Sequence, residues 1–196
     1  MTYEYDVFVS YTRRGGAGRW VQENFVPALR ETLDNEMARE PVFYVDWEQE
    51  TGVSWPQNLE HALLRSRVMV AVLSPPYFRS PWCAAEWASM CARNKVLGLG
   101  TPNNPQNLIH GVRYADGDHF PADASSLQLR DFSGWTVPIA HDAYSRTPDY
   151  WHFYAEVRSL ARDIAARIDD VPPWDAAWPR LRPAPPAKPA GQFPRL

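Results

Sequence analysis

Two hydrophobic periods alternate along this chain. Tyr5–Tyr11 (YDVFVSY) sets Val7 and Val9 on one side and Phe8 on the other, in a β-forming composition that predicts a strand. Arg13–Gly18 is a basic, Gly-rich loop. Arg19–Asp34 then carries Val21, Phe25, Leu29 and Leu33 at helical spacing, interrupted by Pro27, which must kink the helix or begin a new one. A short strand is expected at Val42–Val45, a polar loop with Gly52 over Asp46–Pro56, and a helix over Gln57–Ser66. Arg67–Leu73 holds the most apolar run, the pattern of a central parallel strand buried on both faces, and Ser74–Pro75–Pro76 stops it. Ser80–Pro81 has the form of an N-cap followed by the first helical residue, opening a helix to about Arg93. Val96–Gln106, broken by Gly98, Gly100, Pro102 and Pro105, reads as a long loop, as does Asp116–Ser126. Strands are expected at Leu108–Tyr114 and Ser126–Phe132. Tyr150–Ile168 is an amphipathic helix with Phe153, Val157, Leu160, Ile164 and Ile168 on one stripe.

Strands that alternate with helices imply an α/β domain: a parallel sheet with helices on both faces. Ligands of such sheets bind beyond the carboxyl ends of the strands, where the strand order reverses. The loops after Tyr11, Val45 and Leu73 are therefore where chemistry is expected.

Composition narrows the class. With 196 residues, 45% of them hydrophobic and 13% aromatic, the chain can build a full core. A net charge of −3 gives no electrostatic footprint for nucleic acid or an anionic membrane, so neither is expected as a partner. The longest aliphatic run near the centre, Val68–Leu73, is far too short to span a bilayer. Glu4 and Asp6 stand where a secretion signal would be basic and then apolar. The two cysteines, Cys83 and Cys91, fall on one helix roughly 12 Å apart, too far to bridge, so a cytoplasmic, disulfide-free protein is expected. No Cys/His spacing suggests zinc, and Asp116–Gly117–Asp118 with His119 reads as a turn, so no metal is expected. Beyond Val171 the character changes: Pro172–Leu196 contains eight of the 19 prolines and a net charge of +3. The expected organisation is a domain over 1–171 and a Pro-rich, extended or disordered extension over 172–196, with Trp174 and Trp178 able to pin its start to the body.

The three loops carry unusual sequences. After the first strand comes Ser10–Tyr11–Thr12–Arg13–Arg14–Gly15–Gly16. After the second comes Asp46–Trp47–Glu48, continuing to Gly52–Val53–Ser54–Trp55. After the third comes the stretch from Ser74 to Glu86, SPPYFRSPWCAAE. In these three motifs, taken in order, the chain resembles the TIR (Toll/interleukin-1 receptor) family over about Tyr3–Arg93, and more loosely to Asp170. The resemblance implies a flavodoxin-like sheet of about five strands in the order 2-1-3-4-5. It also implies one of two functions. Many TIR proteins are adaptors that signal by self-association; others cleave NAD⁺ to nicotinamide and ADP-ribose or a cyclic variant. The catalytic glutamate of the second kind sits where Glu86 sits. A stand-alone bacterial TIR of this length looks like an anti-phage defence protein, with a separate sensor or effector as partner and self-association through the second loop, the BB-like loop.

The chemistry suits one carboxylate. Nicotinamide leaves NAD⁺ as a neutral base, so no general acid is needed, and the positive charge that develops on the ribose is what a carboxylate stabilises. NAD⁺ is here a substrate, and no cofactor is expected. On spacing alone, Glu86 reads as a solvated carboxylate that favours the helix N-terminus by roughly a few tenths of a kcal/mol; the surrounding motif makes the catalytic reading the stronger. Trp82, four residues earlier on the same helical face, can wall the carboxylate and raise its pKa. Arg13 and Arg14, beside Gly15 and Gly16, can meet a pyrophosphate, although the glycines do not form a G-x-G-x-x-G fingerprint. The resemblance lines the pocket with Ser10 and Tyr11, and gives Asp46, Trp47 and Trp55 to the BB-like loop, where a Trp can stack on a base; Trp55 can equally pack on its helix. Tyr77 either faces the pocket or caps the helix. Cys83 is expected on another side of the helix, as a buried small hydrophobe. A TIR scaffold without turnover is the alternative, and nucleoside deoxyribosyltransferase-like chemistry is a remoter one.

Overall fold

The structure, a computed structural model, describes residues 2–46, 55–137 and 139–183, without the side chains of Trp55 and Pro56. Five parallel strands form one sheet: β1 (Tyr5–Ser10), β2 (Phe43–Val45), β3 (Ser66–Leu73), β4 (Ile109–Arg113) and β5 (Arg130–Asp131), in the order β2-β1-β3-β4-β5. The flavodoxin-like order is as expected. Val7, Val9, Val68, Met69, Val70, Ala71, Val72 and Leu73 are all buried, which is why β3 reads as an unbroken apolar run. Register sets Val9 beside Val45 and Val70, and Ser10 beside Ala71. Ser10 thus ends the strand at the switch point.

The first helical segment is α1 (Ala17–Trp20), a π-helical turn over Val21–Phe25, and α2 (Val26–Asp34). The wide turn answers the question Pro27 poses. Pro27 stands in the first turn of α2 without an N–H, and the Val26 N–H reaches back five residues to the Val21 carbonyl. α3 (Trp55–Leu64) leads into β3, and α4 (Pro75–Phe78) and α5 (Pro81–Val96) follow it. α6 (Ala122–Ser125) is a short turn of helix inside the loop expected over Asp116–Ser126, anchored by buried Phe120 and Ala124. A 3₁₀ turn (Ser133–Trp135), α7 (His141–Tyr144) and α8 (Pro148–Asp169) complete the chain of elements. Right-handed crossovers from β1 left to β2, then back right to β3, put α2 and α3 on opposite faces. α8 packs on α2, and Trp20, Phe25, Phe132 and Phe153 fill that side with edge-to-face and stacked rings.

β5 and α5 differ from the sequence expectation. β5 is two residues long, not Ser126–Phe132. Its Arg130 turns to the acids of α8, bonding Glu156 at 2.8 Å and Asp163, beside a ladder to β4 of only two residue pairs. α5 runs three residues beyond Arg93, because Arg93 itself is buried against the carbonyls of Ser66 (2.8 Å) and Leu63 (3.0 Å) rather than ending the helix. Beyond α8 the chain does not leave the body at once. Trp174 donates to the Leu64 carbonyl (3.2 Å) beneath the Arg65 guanidinium, and Trp178, 6% exposed, lies against Arg93. The Leu181 N–H donates to Ser89 Oγ at 2.9 Å, and Arg182 pairs with Glu60. Residues 172–183 therefore form an irregular strap that climbs between α3 and α5. Residues 184–196 lie outside the described residues. Among the described residues no helix is long and apolar enough to cross a membrane.

Candidate active site

At the carboxyl ends of β1 and β2 lies a cavity of about 290 Å³. Its floor is Glu86. Its walls come from the β1–α1 loop (Tyr11 to Arg14), from Asp46 after β2, and from the start of α5 (Ser80, Trp82 and Cys83). Local structure explains why they meet. Gly15 takes a left-handed φ of +73°, which turns the loop over, and Gly18 lets α1 pack on the Arg13 backbone, where a Cβ would sit 3.2 Å from the Arg13 Cα. Ser80 caps α5, its Oγ accepting from the Cys83 N–H at 3.4 Å, with Pro81 as the first helical residue. That start aims Trp82, Cys83 and Glu86 at one side, since positions three and four apart share a helical face.

Glu86 is not a solvated helix carboxylate. It is 7% exposed, and its Oε2 accepts from Ser10 Oγ at 2.5 Å. Burial pushes its pKa up to about 8; the Ser10 hydroxyl pulls down, and the Asp46 charge pushes further up. Among the described residues no ion pair reaches it. A buried carboxyl held so high, facing a cavity, is poised to respond to a positive charge brought in by a ligand.

The mouth is electrostatic. Arg13, 59% exposed, spans it to pair with the Asp46 carboxylate at 2.8 Å and the Asp46 carbonyl at 3.3 Å. Arg14 stands exposed on the rim, and its backbone N–H is held by Thr12 Oγ1 at 3.2 Å. An anionic ligand arriving here meets one exposed guanidinium and a second that must exchange Asp46 for it.

The expected site residues sort clearly. Tyr11, Arg13, Arg14, Asp46, Trp82 and Glu86 surround the cavity. Ser10 and Tyr77 do not line it: Ser10 is 1% exposed beneath Glu86, and Tyr77 is fully buried with its hydroxyl 2.7 Å from Ser10 Oγ. Tyr77 neither faces the pocket nor caps α5. Ring packing against Phe78, and α4 itself, hold it in the core. Trp47 and the Trp55 side chain lie outside the described residues. Cys83 corrects an expectation. It sits on the Glu86 side of α5, its thiol contacting the Tyr11 carbonyl at 3.5 Å, because a spacing of three returns to the same face. Burial and the Glu86 charge push the thiol up to about 12, so it remains a neutral, small wall group. Thr12 and Ser80 also line the cavity. Their signal in the sequence was position alone, one just past a strand and one at a helix cap.

A family model described as TIR domain matches residues 7–142. No curated protein sequence matches the chain. Among solved structures, the TIR domain of the Toll-related receptor TRR-2 from the lower metazoan Hydra magnipapillata is similar at a TM-score of 0.51 and 20% identity, covering 82% of this chain and 98% of that one. A likeness at that identity speaks for the fold.

Proposed function

The chain belongs to the TIR domain family, and from that premise we propose that it cleaves the nicotinamide–ribose bond of NAD⁺, with Glu86 as the catalytic residue. The observation that carries the reading is the buried Glu86 carboxyl on the floor of a cavity at the switch point, walled by an indole and rimmed by two arginines. A volume of about 290 Å³ suits the nicotinamide riboside end of the dinucleotide. The pyrophosphate then lies over the rim, against Arg14 and against an Arg13 drawn away from Asp46.

In the proposed step the bond between ribose C1′ and the pyridinium nitrogen breaks, and its electron pair goes to the nitrogen. Nicotinamide leaves neutral, and positive charge builds on the ribose. The Glu86 carboxylate, in a site with little water, stabilises that charge. Water then adds to C1′ and releases a proton, giving ADP-ribose; attack by a nitrogen of the adenine gives a cyclic product instead. The same reading includes the setting the family resemblance suggests, bacterial defence through NAD⁺ loss or a cyclic messenger, with self-association through the loop after β2.

The experiment is nicotinamide release by concentrated protein, with products resolved by mass. Wild type is expected to release nicotinamide, and Glu86→Gln to lose at least roughly 10²-fold in kcat while keeping its circular dichroism. Because the ionised carboxyl is the working form, kcat/KM rises with pH through a group near 8 in the free protein. In the bound complex the cationic substrate moves that limb lower. Equal release by wild type and Glu86→Gln removes Glu86 from the mechanism. Silence from both, with filaments formed, favours a scaffold that signals by self-association.

A further inference from the structure

Three side chains run in a line from the core to the cavity floor. The Tyr77 hydroxyl lies 2.7 Å from Ser10 Oγ, and Ser10 Oγ lies 2.5 Å from Glu86 Oε2. Tyr77 is 0% and Ser10 1% exposed, so neither hydroxyl is open to bulk solvent. They come from three elements, α4, the end of β1 and α5, and the Tyr77 backbone is itself fixed by its N–H to the Ser74 carbonyl at 2.9 Å.

A serine hydroxyl has one proton to donate. When Ser10 gives it to an ionised Glu86, Ser10 Oγ is left as an acceptor, and the Tyr77 O–H fills it. Each donor then has an acceptor, and all bonds point toward the carboxylate. When Glu86 carries a proton and donates it to Ser10, the order reverses. Ser10 then donates to the phenol oxygen, and the Tyr77 proton is turned away from its partner into an apolar core. A Glu86 that holds its proton on Oε1 instead keeps all three bonds, but Ser10 then donates to a neutral carbonyl oxygen, so the chain of bonds is strongest when it ends on the charged carboxylate.

We propose that Tyr77 is a positioning residue that acts through Ser10 to favour the ionised form of Glu86 and to fix which carboxylate oxygen faces the cavity. Burial keeps the phenol itself well above its ordinary value, so it remains a donor. The other groups facing Glu86 do not supply this. Asp46 opposes ionisation, Cys83 and Tyr44 are held neutral by burial, and Arg13 is engaged with Asp46. The relay concerns the proton on Glu86 in the ligand-free protein. Its link to catalysis rests on the NAD⁺ reading, while its test does not.

The test is a carbon-13 NMR titration of glutamate side-chain carboxyls in the full chain, the Glu86 signal being the one missing from Glu86→Gln. Tyr77→Phe removes a single oxygen and is expected to raise the Glu86 midpoint by roughly half to one pH unit, a three- to tenfold smaller carboxylate population at pH 7. Ser10→Ala is expected to raise it at least as far, and the double variant no further than Ser10→Ala alone, since Tyr77 acts through Ser10. An unmoved midpoint in either folded single variant, or additive shifts in the double variant, overturns the relay. Nicotinamide release from the same samples is read separately. A relay without turnover rejects only the NAD⁺ reading, and turnover without the relay rejects only the positioning role.

Discussion

Two buried carboxylates sit at opposite ends of the same strand system. Asp6 stands near the start of β1, roughly 13 Å below Ser10 along the strand. It takes two bonds from Arg39 at 2.5 and 2.6 Å and one from the Val42 N–H at 2.9 Å, with Arg67 at 3.3 Å. Glu86, at the other end, has one serine hydroxyl and the negative charge of Asp46 nearby. Removing a carboxylate from water costs several kcal/mol unless charge and hydrogen bonds replace the hydration. At Asp6 they do, and the group ties the start of β1 to the segment before β2. At Glu86 they do not, so the carboxyl stays protonated up to about pH 8 unless an incoming cation favours its ionised form. The same group is paired with guanidiniums at one end of the sheet and faces a cavity at the other.

Removing each group should have opposite effects on stability. Asp6→Ala leaves the Val42 N–H unpaired and two guanidiniums without their partner. Discounted for the solvent that reaches Arg39, the expected loss is roughly 3 kcal/mol in denaturant unfolding. Nicotinamide release per folded molecule should be unchanged; a loss of turnover out of proportion to the folded fraction would break the division between the two ends. Glu86→Gln should do the reverse. The folded protein keeps Glu86 protonated up to about pH 8, whereas the unfolded chain ionises it near 4.5. The penalty is absent below pH 4.5, grows between the two values and is complete above pH 8. The variant should therefore gain roughly 2–3 kcal/mol over wild type at pH 9, with the gain fading to nothing at pH 4. A gain that does not depend on pH would mean that packing, not charge, separates the two carboxylates. The smallest effect concerns the strap. Ser89→Ala removes the acceptor of the Leu181 N–H and should cost roughly 1 kcal/mol in the same unfolding experiment, with the Glu86 titration unmoved. A shifted titration would show that the strap reaches the site through α5.

What the sequence made legible follows from the same physics. The middle of a strand buried on both faces is apolar, so Val7–Val9 of β1 and Val68–Leu73 of β3, and with them the switch point, could be read directly. The motif around Glu86 singled out the residue, whereas its spacing alone suggested a solvated side chain. Its burial depends on β1 and α4 closing over α5, which no local pattern records. Asp6 gave no signal, because Arg39 lies 33 positions away. Leu127 and Leu129 alternate as a strand should, yet only Arg130 and Asp131 pair with β4, since tertiary context decides how much of a β-like pattern joins the sheet. Tyr77 looked like a pocket residue because only the fold decides which side of α4 meets the core.

The strap over residues 172–183 has no regular secondary structure, yet the Leu181 N–H is held by a serine that is itself 2% exposed. Exchange of that amide with deuterium requires the strap to lift away from α5. Leu181 should therefore exchange far more slowly than an ordinary loop amide, and its rate would measure how often the groove between α3 and α5 stands open.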